Sequence, residues 1–166
     1  MNTEFFKVYG ASERRDGKVV ISPKKCAIFY GYGKDSEKAR VGYNWRKDYD
    51  HIPKVEEIKA DIISLINSQT DKKILTGFTW NDTPIYLSTE NQINFKVAYD
   101  LAIQTNGANL PVKFKIGEDR KGSAVYYTFD NKEVLAAFIS SVFKFINNTL
   151  QEGWNEKDSV DYSLFT

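Results

Sequence analysis

The chain is predicted to fold as an α+β protein: N-terminal antiparallel strands, one connecting helix, then two hairpin-plus-helix (ββα) units. Three observations predict it. Short runs of β-branched and aromatic residues fill the first fifty positions. Apolar residues then recur at three- and four-residue spacing from Val55 to Ile66. Residues 74–107 and 112–153 then repeat one order, hairpin followed by capped helix. The expected organisation is a β-rich segment over 1–50 and an α+β region over 51–166. No Pro-, Gly- or Ser-rich linker divides them.

The N-terminal runs "EFFKVYG" and "KVVIS" flank the turn-like "SERRDG", and "KCAIFYGYG" and "GYNWRKDY" follow. Together they read as two to four strands. Pro53 suits the first turn of a helix, where its missing N–H costs nothing. Glu56 and Glu57 then meet the positive end of the helix dipole. Val55, Ile58, Ile62, Leu65 and Ile66 make "KVEEIKADIISLINSQ" amphipathic. Beyond "TDKK", "ILTGFTW" and "PIYLS" read as strands around a turn at Asn81 and Asp82. The next helix ends at Asn106-Gly107, a left-handed cap by composition. "PVKFKIGEDRKGSAVYYTF" alternates as a second hairpin, and a last helix runs from Asn131 to about Glu152, with Gly153 placed to stop it.

The stretch "STENQINFKVAYDLAIQTNG" opens with side chains capable of chemistry, yet helix initiation explains them. Thr89 and Gln92 have the spacing of a capping box, and Asp130 with Glu133 repeats the device at the last helix. Such a cap contributes about 1 kcal/mol. Behind the first cap, Ile93, Val97 and Leu101, with Ala98 and Ala102, are expected to form a buried stripe.

Residues of catalytic type lack the company that catalysis needs. Cys26, the single cysteine, lies in a strand-like run and reads as a buried, inert thiol. His51 has no second histidine for a metal site and no Ser or Cys tied to it by a motif. "GYGKDSEK" lacks the spacing of a phosphate-binding loop. A glycosidase pair of carboxylates stays open, because its members need only meet in space. The expectation is no enzyme, no catalytic residue, no metal and no cofactor.

Aromatic residues make up 14% of the chain, which suits a β-rich core or a contact surface. Tyr43, Trp45, Arg46, Trp80 and Trp154 are the candidate interaction residues. Trp154 either packs back on its own helix or anchors a partner, and packing back is the expected outcome. Charge is unevenly spread. Residues 1–54 hold twelve Lys/Arg against seven Asp/Glu, a net +5; the rest hold eleven against fifteen, a net −4. The stretch from Lys34 to Lys47, with Arg40, Tyr43, Trp45 and Arg46, is the best nucleic-acid candidate. Asp35, Glu37 and Asp48 interleave with it, which favours a solvated edge strand instead. No apolar run reaches membrane-span length, and "MNTEFFKVYG" lacks the basic start and apolar stretch of a secretory signal. A reducing cytoplasm is expected.

From "GYNWRKDYDHIPKVEEIKADI" to the C-terminus, the chain resembles an uncharacterised domain family of phage and prophage proteins, many from Bacteroides-type gut bacteria. "LSTENQINFKVAYDLAIQTNGANLPVKFKIG", "VYYTF" and "LQEGWNEKD" carry the resemblance. It implies a setting among small tail-associated proteins, with no activity and no catalytic residue. The expected function is that of a tail-associated structural or assembly factor acting through other phage structural proteins or through self-association. Its expected place is the bacterial host cytoplasm, and the virion if it is incorporated. The alternatives are a nucleic-acid accessory protein using residues 34–47 and a glycan-binding tail protein using Trp45 or Trp80.

Overall fold

A computed structural model of the chain describes residues 4–119 and 121–166. The described residues form β1 (Phe6–Ala11), β2 (Gly17–Ser22), β3 (Lys25–Gly33), β4 (Gly42–Tyr49), α1 (Val55–Thr76), β5 (Phe78–Trp80) and β6 (Thr83–Ile85). They continue with α2 (Thr89–Gln104), β7 (Val112–Glu118), β8 (Ala124–Phe129), α3 (Lys132–Asp158) and a 3-10 turn at Tyr162–Phe165. All strand pairing is antiparallel, so the class is α+β. Two compact units are present. One comprises the residues up to Asn67 together with Glu156–Thr166, the other Ser68–Asn155. Thus α1 and α3 each contribute to both units, and residues 55–67 pack with the N-terminal strands.

In the first unit the four strands make one sheet in the order β1-β4-β3-β2. Strand alternation sends Cys26, Ile28, Tyr30 and Tyr49 to one face, where they pack with Ile58, Ile62 and Ile66 of α1 and with Phe165. The inert-thiol reading of Cys26 matches its place in this core, and burial raises its pKa. On the opposite face Phe29 is buried under the Arg15 guanidinium, 4.0 Å from the ring. Pro53 lies just outside α1 rather than in its first turn. Lys54 is the capping position, since its carbonyl accepts from Glu57 and Ile58.

The second unit holds two hairpins and two helices around one core. Trp80 pairs with Thr83, so Asn81 and Asp82 form a two-residue turn with φ of 48° and 62°. The strand expected to begin at Ile74 is helical instead. α1 continues to Thr76, and only Phe78–Trp80 pairs. The two hairpins remain separate two-stranded sheets, linked where the Tyr86 N–H donates to the Ile116 carbonyl at 2.8 Å. Phe95 and Phe138 sit at the centre of the core, ring centroids 5.0 Å apart.

Gly153 does not stop α3, which runs on to Asp158. A Cβ at Gly153 would lie 2.5 Å from the Thr70 hydroxyl, so the glycine is there to let α3 approach the end of α1. Gly153→Val therefore forces this contact apart. It is expected to cost about 1–3 kcal/mol in urea unfolding. Thr70→Ala should recover part of that loss, a coupling measurable in a double-mutant cycle.

Candidate interaction surface

Helix α2 starts one residue earlier than its sequence suggests. Ser88, extended at φ −62° and ψ 159°, is the N-cap, and its hydroxyl accepts from the Asn91 N–H at 3.2 Å. Thr89 is thus the first helical residue. The Gln92 amide donates to the Leu87 carbonyl at 2.8 Å instead of closing a capping box on Thr89. At α3 the cap moves by one residue the other way. There Asn131, not Asp130, accepts from the Val134 N–H at 2.9 Å, while Glu133 stays in the first turn. Asn106 and Gly107, at φ 50° and 86°, end α2 as expected.

A cleft of about 750 Å³ lies at this helix start, lined in part by Tyr86, Ser88, Glu90, Asn91, Lys115 and Glu118. Most of its polar groups are committed locally. Ser88 caps, the Asn91 amide donates to the Tyr86 carbonyl at 2.7 Å, and Lys115 pairs with Glu118 at 2.9 Å. The Ser88 hydroxyl accepts a backbone N–H here rather than giving a proton to a base. That is the work of helix initiation, and it answers for the polar crowd in this stretch. The Glu90 carboxylate carries no hydrogen bond or ion pair among the described residues.

The apolar residues of α2 fall on two faces. Phe95, Ala98 and Ala102 are buried in the core, where the two alanines let the helix come close and Phe95 fills the space beside Phe114 and Phe138. Ile93, Val97 and Leu101, expected in a buried stripe, are instead 56%, 51% and 44% exposed. At about 100° per residue they form a ridge on the side of the helix roughly opposite the core face. The core takes one apolar face of a cylinder and leaves the other outside.

The five candidate interaction residues do not make one surface. Tyr43 and Trp45 share a face of β4, with centroids 5.4 Å apart, and Lys7 caps Tyr43 at 4.1 Å. Lys7 also bridges to Asp35 at 2.5 Å, and that hydrogen bond raises the pKa of its ammonium group. Arg46 points to the other face, opposite Phe29 in the neighbouring strand, and pairs with Asp48 at 2.7 Å. Lys47 pairs with Asp61 at 2.6 Å, and Asp61 also accepts from the Tyr49 hydroxyl. Burial, followed by the Asp61 hydrogen bond, holds the Tyr49 phenol well above its usual range. Arg46 is therefore split from Tyr43 and Trp45 across the sheet, whereas Lys47 shares their face; both Arg46 and Lys47 are already paired. Trp80 is a core residue, half-buried and edge-on to Phe138 at 5.4 Å. Trp154 lies within α3 and is 46% exposed, so it does not pack back fully.

His51, on the surface of the first unit, bonds through Nδ1 to Asp50 at 3.0 Å and through Nε2 to Glu57 at 3.0 Å. The Asp50 bond, then the Glu57 bond, raises its pKa from 6.5. The folded state thus favours the imidazolium. Stability from this site is full below the unfolded value near 6.5 and fades as pH rises through the folded value. An NMR titration of the His51 ring is expected to show a midpoint above 6.5, returning towards 6.5 in the double variant Asp50→Asn, Glu57→Gln.

Among the described residues no helix is long and apolar enough to cross a membrane, and no group of three His, Cys, Asp or Glu could hold a metal ion. The α2 ridge places three exposed aliphatic side chains in line on one helix. No family model, curated protein or solved structure matches the chain.

Proposed function

We propose that this chain is a non-enzymatic structural or assembly component of a phage or prophage particle, tail-associated by its resemblance, that works through protein contacts. The observation that carries the contact reading is the ridge of Ile93, Val97 and Leu101, about half exposed on the outer side of a helix whose inner side is core. Leaving three branched aliphatic side chains in line on a surface costs solubility, and such patches mark contact sites. The non-enzymatic part is supported by the helix-start groups, whose polar atoms are committed to capping bonds. The particle setting is supported by the resemblance of the "LSTENQINFKVAYDLAIQTNG" region.

Quantitative mass spectrometry of particles released from the host that encodes the chain tests this. Peptides at a fixed ratio to tail proteins support a structural role. Enrichment on assembly intermediates, with absence from finished particles, supports an assembly role. Absence from both sinks the proposal.

A further inference from the structure

The ridge is close to self-complementary about its own midpoint. Val97 is central, with Ile93 four residues before it and Leu101 four after. We propose that α2 pairs antiparallel with α2 of a second copy of this chain, with Val97 on the two-fold axis. This rests on the protein-contact reading above and names the partner for that surface. A two-fold axis at Val97 sets Ile93 against Leu101 of the second copy, and Leu101 against Ile93, so every ridge contact is apolar.

The polar residues fit the same operation. Lys96 and Asp100 share one flank of α2, bonded to each other at 2.6 Å. The axis brings this pair beside its own copy reversed: Lys96 comes within about 3 Å along the helix axis of both Lys96 and Asp100 of the second copy, so two opposite-sign approaches outweigh one like-sign approach. At the helix ends, Glu90 comes level with Gln104 of the second copy. The Glu90 carboxylate has no partner among the described residues, and a glutamine amide supplies the donors it accepts.

Size sets the expected strength. A helix of 16 residues is about 24 Å long, and two such helices crossing bury less than the roughly 1,600 Å² of a standard stable interface. The dimer is therefore reversible and concentration-dependent.

Cysteine trapping on the full chain tests the geometry, because native Cys26 is fully buried and silent. Under mild oxidation Val97→Cys should link to its own copy as a covalent dimer. Ile103→Cys, 54% exposed on another side of α2, should link at least tenfold more slowly. Ile93→Cys and Leu101→Cys, mixed in equal amounts, should give the mixed disulfide faster than either links to itself. In sedimentation velocity over roughly 5–500 μM, wild type should shift from monomer to dimer and Val97→Asp should stay monomeric. Equal trapping rates at 97 and 103, or Ile93→Cys linking to itself fastest, would overturn antiparallel pairing. A wild-type monomer throughout, with Val97→Asp still lost from particles, overturns self-pairing and leaves the contact reading standing. A dimer that Val97→Asp breaks without loss from particles upholds the pairing and removes the particle role of the ridge.

Discussion

Phe138→Ala is expected to remove about 3–5 kcal/mol of stability, the largest loss from any single truncation in the second unit. Phe138 is fully buried at the meeting point of four rings. Its centroid lies 4.9 Å from Phe129, 5.0 Å from Phe95, 5.4 Å from Trp80 and 6.3 Å from Phe78. These residues come from β5, α2, β8 and α3, so collapse into the void would have to move all four at once. Against a typical total of about 5–15 kcal/mol, this variant is expected to unfold at markedly lower urea, led by the second unit. Phe138→Leu keeps most of the volume and should lose only about 1–2 kcal/mol. Equal losses from the two substitutions would mean that ring packing is not what holds these elements together.

Val97→Asp is expected to do the opposite: leave stability nearly unchanged and weaken association at least tenfold. Val97 is half-exposed, valine and aspartate have similar helix propensity, and a surface exchange of this kind stays within about 0.5 kcal/mol. One residue on, Ala98 is buried against the core. Ala98→Asp puts a charge with no partner there and should destabilise by several kcal/mol. The pair of variants separates surface from core within one peptide bond. Circular dichroism melts report stability, and sedimentation of the same samples reports association.

The class and order of elements were legible because their periods are strong. The strand runs of the first fifty residues and the three-four spacing of Ile58, Ile62 and Ile66 each point one way. The caps were legible only to within a residue. "LSTEN" and "FDNKE" each offer several cap-competent side chains in succession. The choice follows from where Leu87 and Phe129 are buried, which is a tertiary matter. Ile74 and Leu75 read as strand by composition, and helix continuation from α1 overrode that preference.

The candidate surface was half-visible. Ile93, Val97 and Leu101 read with Ala98 and Ala102 as one buried stripe, but only the two alanines are buried, joined by Phe95, and periodicity cannot say which side faces the core. Small alanines beside one large ring decided it, because they permit close packing. The Tyr43-Trp45-Arg46 cluster shows the reverse case. Strand alternation already sends Arg46 away from its two aromatic neighbours, and that signal was present in the sequence.

On the function proposed above, the outer face of α2 is kept apolar for a protein contact within the particle. The most direct measurement is a competition in one host cell between wild type and a variant carrying Ile93→Ser, Val97→Ser and Leu101→Ser. Mass spectrometry can tell the two chains apart through the altered peptides around Lys96. Equal amounts are expected in the soluble lysate, with the variant depleted at least tenfold in purified particles. An equal ratio in both fractions would contradict it, and the ridge would then be surface that the fold merely tolerates.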